Sequence, residues 1–145
     1  MLSFDNEINM KIKKKLGVGV IIQNQNGDFL LHLRDGKTIN MPNQWSLVGG
    51  GVEDGESVET AAIRETKEET SLTAQKLTKF STINFNEKWD AIIFHVLVDT
   101  KHEKMVLHEG KKLMFFSKEK VKVFINKLSY SNPFLDVFKL YLSDF

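Results

Sequence analysis

The most constraining feature of this chain is a single segment, GGGVEDGESVETAAIRETKEETSL at residues 49 to 72, which opens on three glycines and closes on helix formers. From Ser57 onward it has no glycine or proline, and it sets Val58, Ala61, Ala62 and Ile63 along an apolar stripe. That pattern predicts a helix of about three to four turns, with Gly55 and Ser57 near its start. Positions i, i+3 and i+4 share a helix face, so Glu65, Glu68 and Glu69 present three carboxylates within one turn. Arg64 and Lys67 soften their repulsion. Two readings stay open at this level: a solvated charged face, the ordinary state of exposed glutamates, or a site for a hard divalent cation that bridges phosphate oxygens. Gly49, Gly50 and Gly51 follow the loop expected at residues 35 to 46. They let backbone approach a ligand closely with carbonyls available to a metal, although a turn is the plainer meaning of such a run.

Composition narrows the choice. At 145 residues and 41% hydrophobic content, the chain has the size and apolar fraction of one domain with a real core. Twenty basic and nineteen acidic residues leave a formal charge of +1, so no global field recruits nucleic acid and a polyanionic ligand must be met locally. The absence of cysteine excludes disulfides and thiolate chemistry. A metal would be held by oxygen or by one of four histidines, which points to Mg²⁺, with Mn²⁺ as the alternative. The start, MLSFDNEINMKIKKK, has acidic residues before its lysines and no long apolar stretch after them. The expectation is a cytoplasmic protein with no signal peptide and no membrane partner. The lysines of KIKKK, residues 11 to 15, read as solvating charge.

Along the chain, LGVGVIIQ and DFLLHLR flank Asn26-Gly27 and predict antiparallel strands at about 17 to 23 and 29 to 34. Residues 35 to 46 keep no period and predict a loop. KLTKFSTINF and WDAIIFHVLVDT predict two further strands, the second central because its apolar run from Ala91 to Val98 is nearly continuous. KLMFFS predicts a short strand. Ser117 can cap a helix over KEKVKVFINKL, and Pro133 can open a last one with Phe134, Val137, Phe138, Tyr141 and Leu142 on one face. The expected fold class is α/β with a mixed sheet and helices on both sides, residues 1–145 forming one domain, with 1–15 an extension and 118–145 a helical part.

The decisive signal is spacing. Gly50, five residues, Glu56, seven residues, Arg64-Glu65, two residues, Glu68-Glu69, with a leucine further on at 72: a chance match to the six fixed positions from Gly50 to Glu69 has a probability on the order of 10⁻⁷ per starting point. The segment resembles the signature box of the Nudix hydrolases, a loop-helix-loop unit. The likeness extends over residues 16 to 125, through VGVIIQNQNGDFLLHLR, NQWSLVGGG and HEGKKLMFFSKEKV. Three positions depart from the usual pattern: Val48 for proline, Thr66 for an aliphatic residue and Ser71 for glycine.

The resemblance implies an α/β/α sandwich and Mg²⁺-dependent hydrolysis of a pyrophosphate bond in a nucleoside diphosphate linked to another group. A nucleoside triphosphate, ordinary or oxidised, is the first expectation, a nucleotide-sugar pyrophosphatase or a non-catalytic nucleotide-binding module the alternatives. It assigns metal binding to Glu65, Glu68 and Glu69 with the Gly49 carbonyl, and a bracing role to Arg64 and Glu56. The general base is left between Glu65 and a later-loop acid, for which Glu109 is the match and Glu103 and Glu87 are weaker ones. Arg34 is a candidate for phosphate, and Trp45 and Phe85 for stacking on a base, although packing explains such residues equally well. His32, His95 and His108 are read as satisfied histidines before ligands. The terminal helix, with Leu135 and Leu140, can serve the core or a homodimer.

Overall fold

The computed structural model describes residues 13–144, so the extension before Lys13 lies outside the described residues. The elements are β1 (Lys15–Gln23), β2 (Phe29–Leu33), β3 (Trp45–Ser46), β4 (Val48–Gly51), α1 (Val58–Thr70), β5 (Gln75–Asn84), β6 (Trp89–Leu97), β7 (Lys112–Phe116), α2 (Lys118–Lys127) and α3 (Pro133–Asp144). One mixed sheet runs β3-β2-β1-β6-β5, with β4 paired to β1 and β7 to β2. β1 and β6 are parallel over their whole length, and the other pairs are antiparallel.

Strand alternation sorts the core into two layers. Val18, Val20, Ile22, Phe94 and Val96 pack with Ala61 and Ala62 of α1. Ile21, Phe29, Leu31, Ala91 and Ile93 pack with Val121 and Ile125 of α2 and with α3. The helices therefore cover both faces, as an α/β/α sandwich requires, and β6 has the central place that its apolar run predicts. Phe134, Leu135, Val137, Phe138, Tyr141 and Leu142 of α3 are all buried, so the terminal helix belongs to the core. Leu140 stays exposed. No helix of the described residues is long and apolar enough to cross a membrane.

Three local expectations are corrected. The β1–β2 connection is not a tight Asn-Gly turn: only Gly27 has a positive φ, 82°, and the Asn24 side chain organises the loop by accepting from the N–H groups of Asn26 and Asp28, both at 3.0 Å. Ile63 does not join the apolar stripe and stands exposed, while the buried side of α1 continues through Thr66 and Thr70. The glycines are not a turn. Gly49, Gly50 and Gly51 form β4, paired with Gly19, Val18 and Gly17 of β1. Glycine has poor strand propensity, but here space decides. A Cβ on Gly49 would strike the Val18 carbonyl, and one on Gly50 would strike the Glu65 carboxylate.

The caps of α1 explain its limits. Ser57 accepts from the Thr60 N–H at 3.1 Å, and Ser71 closes the helix in the left-handed region at φ 64°. A serine there costs about 1 kcal/mol relative to glycine. Thr66 is fully buried where an aliphatic side chain is usual; its hydroxyl donates to the Ala62 carbonyl at 2.8 Å, which leaves its methyl to the core.

Candidate active site

Arg64 organises the site. Its Nε and Nη2 donate to the two carboxylate oxygens of Glu56 at 2.7 and 2.9 Å, Nη2 also donates to the Gly51 carbonyl at 2.9 Å, and Nη1 reaches Glu65 and Glu68 at 3.0 and 3.1 Å. One guanidinium thus ties the loop before α1, strand β4 and two glutamates of the helix into a single unit. The Glu56 carboxylate accepts in turn from the Glu53 N–H, and the Arg64 hydrogen bonds hold its pKa below the ordinary value. Glu56 is the brace that the sequence implies.

Glu65 and Glu69 are both buried on the α1 side of β4. Burial raises the Glu65 pKa, against the pull of Arg64. Glu69 is pushed up to about 8, first by burial and then by the charge of Glu65, and its only help from β4 is a long 3.4 Å hydrogen bond donated by the Gly49 N–H. Both carboxylates open on a cavity that Arg34, Gly49, His32 and Glu109 also line. The charge of Glu109 is felt at both, so the later-loop acid shares their space. Glu68, one turn along, is more exposed, and its carboxylate is turned onto Arg64.

A second cavity of about 130 Å³ adjoins the first through Arg34, Gly49 and Gly50. Phe85, Trp89, Phe134 and Met41 wall it, above Gly17 and Gly51. The Trp89 ring lies over that glycine pair, within 3.6 and 3.3 Å of where their Cβ atoms would stand. Trp89 was not legible as a cavity residue, because its place depends on the two glycines being cross-strand neighbours. Phe85 lines this cavity. Trp45 does not: its ring meets Phe116 and Phe124 edge-on at 6.1 and 5.3 Å, and its backbone N–H donates to the Tyr130 hydroxyl at 2.8 Å. Trp45 lines neither cavity and packs in the core, so the structure gives no support to base stacking at that residue.

The weaker candidates separate cleanly. Glu103 accepts from the Thr73 N–H and hydroxyl at 2.9 and 2.7 Å and braces a loop. Glu87 sits among Lys13, Lys14, Lys15 and Lys88, away from the box. His95 donates to Gln23 at 2.8 Å and stacks on Tyr141, a satisfied sheet histidine. His108 pairs with the Ser71 hydroxyl at 2.6 Å.

Among the described residues no three carboxylate or imidazole side chains converge as a ready-made cation cluster, because Glu68 turns away to Arg64. The donor chemistry nonetheless fits a hard dication. Glu65 and Glu69 are buried carboxylates whose proton affinity is raised, Glu69 in part by the charge of Glu65, and such hard oxygen donors gain from the positive charge a dication brings.

The RNA pyrophosphohydrolase of Pelagibacter ubique is 36% identical over 75 residues, 52% of this chain and 44% of that protein. The nucleoside triphosphatase NudI of Escherichia fergusonii is 41% identical over 63 residues, 42% of this chain and 44% of that protein. The chain thus spans less than half the length of these curated relatives. A solved structure of a NUDIX hydrolase from Nitrosomonas europaea shares the fold with a TM-score of 0.74, at 19% identity, over 90% of this chain and 71% of that one. A match to the NUDIX domain covers residues 13–135, and with that extent the chain belongs to the Nudix family.

Proposed function

We propose that the protein hydrolyses the pyrophosphate bond of a nucleoside diphosphate linked to another group, a nucleoside triphosphate being the first expected substrate and a nucleotide sugar the second. The observation that carries this reading is the pair of buried carboxylates, Glu65 and Glu69, opening on one cavity with Glu109 and Arg34. Family membership, and relatives named for pyrophosphohydrolase and nucleoside triphosphatase activities, support the same reaction class.

Glu65, Glu68 and Glu69, with the Gly49 carbonyl, would hold Mg²⁺ or Mn²⁺, which when bound offsets the charge of the diphosphate and polarises the phosphorus under attack. Arg64 holds Glu65 in place, while Glu68, turned onto the same guanidinium, would swing from it to reach the ion. Arg34 lies on the wall common to both cavities, where it can meet phosphate oxygens. Glu109 takes the proton of the attacking water, since Glu65 is already engaged by Arg64 while the Glu109 carboxylate makes no hydrogen bond or ion pair among the described residues. The base enters the slot of Phe85 and Trp89.

The test is direct. Purified protein is incubated with Mg²⁺ and nucleoside triphosphates, oxidised nucleotides, nucleotide sugars and dinucleotides, and released phosphate and pyrophosphate are measured beside a metal-free control. Metal-dependent hydrolysis of one class is expected. Saturable nucleotide binding without turnover would replace the hydrolase by a binding module.

A further inference from the structure

His32 is 4% exposed, in the body of β2 between Leu31 and Leu33, with Ser46 of β3 and Leu113 of β7 as cross-strand neighbours. Burial lowers its pKa from 6.5, so the ring is neutral and offers one N–H and one lone pair. The Nε2 atom stands 2.8 Å from the Glu109 carbonyl, which can only accept, and this fixes the proton on Nε2. Nδ1 then has a buried lone pair with no partner among the described residues. A leucine here would avoid that cost, so what the imidazole adds is the bond to Glu109.

The next residues follow the ring closely. Gly110 has φ 82°, and a Cβ on it would collide with the His32 ring and the Leu33 carbonyl. The Lys111 N–H then donates to the Leu33 carbonyl at 2.8 Å, just before β7 begins. On the other side of Glu109, His108 is held by Ser71. The chain is thus tied down on both sides of Glu109 and at its own carbonyl.

We propose that His32 is a positioning residue: by donating Nε2–H to the Glu109 carbonyl it holds the loop that aims the Glu109 carboxylate at the cavity of Glu65 and Glu69. The inference rests on the reading of Glu109 as the proton acceptor, and it makes His32 important although the ring does not have to touch substrate.

The test pairs His32→Leu, which removes the donor at similar volume, with His32→Gln, whose amide N–H restores one at similar reach. His32→Leu is expected to lower kcat roughly tenfold with KM nearly unchanged, the size of one lost positioning bond, and His32→Gln to recover most of that. In a Glu109→Gln background, His32→Leu is expected to lower kcat no further. Additive losses in that background, or a His32→Gln variant no better than His32→Leu, would overturn the proposal. Hydrogen exchange at the Lys111 amide gives a reading independent of turnover: exchange about tenfold faster in His32→Leu and near wild type in His32→Gln is expected. Unchanged exchange in His32→Leu would dismiss the clamp. If the wild-type protein turned over none of the nucleotides, the hydrolase reading would fall, and exchange would still decide whether His32 holds the loop.

Discussion

Arg64 and Glu56, eight positions apart, meet through two parallel hydrogen bonds of 2.7 and 2.9 Å, and this pair locks the loop before α1 onto the helix that carries the carboxylates. The same guanidinium reaches Gly51, Glu65 and Glu68, so the geometry of the site depends on a planar, forked cation at that position.

Arg64→Lys keeps the charge and loses the fork. Turnover is expected to fall by about ten- to a hundredfold, with a lower melting temperature, since an ammonium cannot satisfy Glu56, Gly51 and the two helix glutamates together. Steady-state kinetics beside a thermal melt checks this; a lysine variant with wild-type kcat would mean that the fork is dispensable.

Glu69 makes metal-free stability depend on pH. Its folded pKa, about 8, lies above the unfolded carboxylate value, so the folded state binds the proton more tightly. The contribution is fully present below the unfolded pKa and is lost as pH rises towards 8. Melts in chelator between pH 5 and 8 should therefore show falling stability that Glu69→Gln flattens and that Mg²⁺ opposes. A flat wild-type profile would sink the assignment.

Gly50→Ala places a methyl group where the Glu65 carboxylate lies. The clash is expected to cost about 1–3 kcal/mol and to displace Glu65, lowering turnover more than a neutral surface change of equal destabilisation. Chemical denaturation and kcat, measured together, separate the two effects.

Glu109→Gln should lower turnover by about a hundredfold, the size expected of a lost general base, while Glu103→Gln, which loosens a loop bonded to Thr73, should leave it within about threefold. Equal, mild effects in the two variants would return Glu109 to the surface and leave Glu65 as the base.

Trp89→Leu and Trp45→Leu divide binding from folding. The first opens the slot beside Phe85 and should raise KM severalfold with little loss of melting temperature; the second removes a ring packed on Phe116 and Phe124 and should cost about 2–4 kcal/mol of stability. A reversed pattern would put the base elsewhere.

The sequence alone determined the parts whose cause is local. Ser57 and Ser71 bound α1, Pro133 opens α3, and the apolar run of β6 announces a central strand, because capping, proline geometry and strand burial are written in neighbouring residues. The spacing of Glu56, Arg64, Glu65, Glu68 and Glu69 likewise fixed the family resemblance. Only the tertiary structure decided what depends on contacts between distant segments. Gly49 to Gly51 read as a turn and are a strand, where the Val18 carbonyl and the Glu65 side chain leave no room for a Cβ. Trp45, a stacking candidate in the sequence, packs on Phe116 and Phe124, while Trp89 lines the cavity beside Phe85, because one faces α2 and the other faces Gly17 and Gly51 across strand pairings. Glu109 becomes a partner of Glu65 and Glu69 only when β7 pairs with β2, and a pairing register is a property of two strands that neither strand carries by itself.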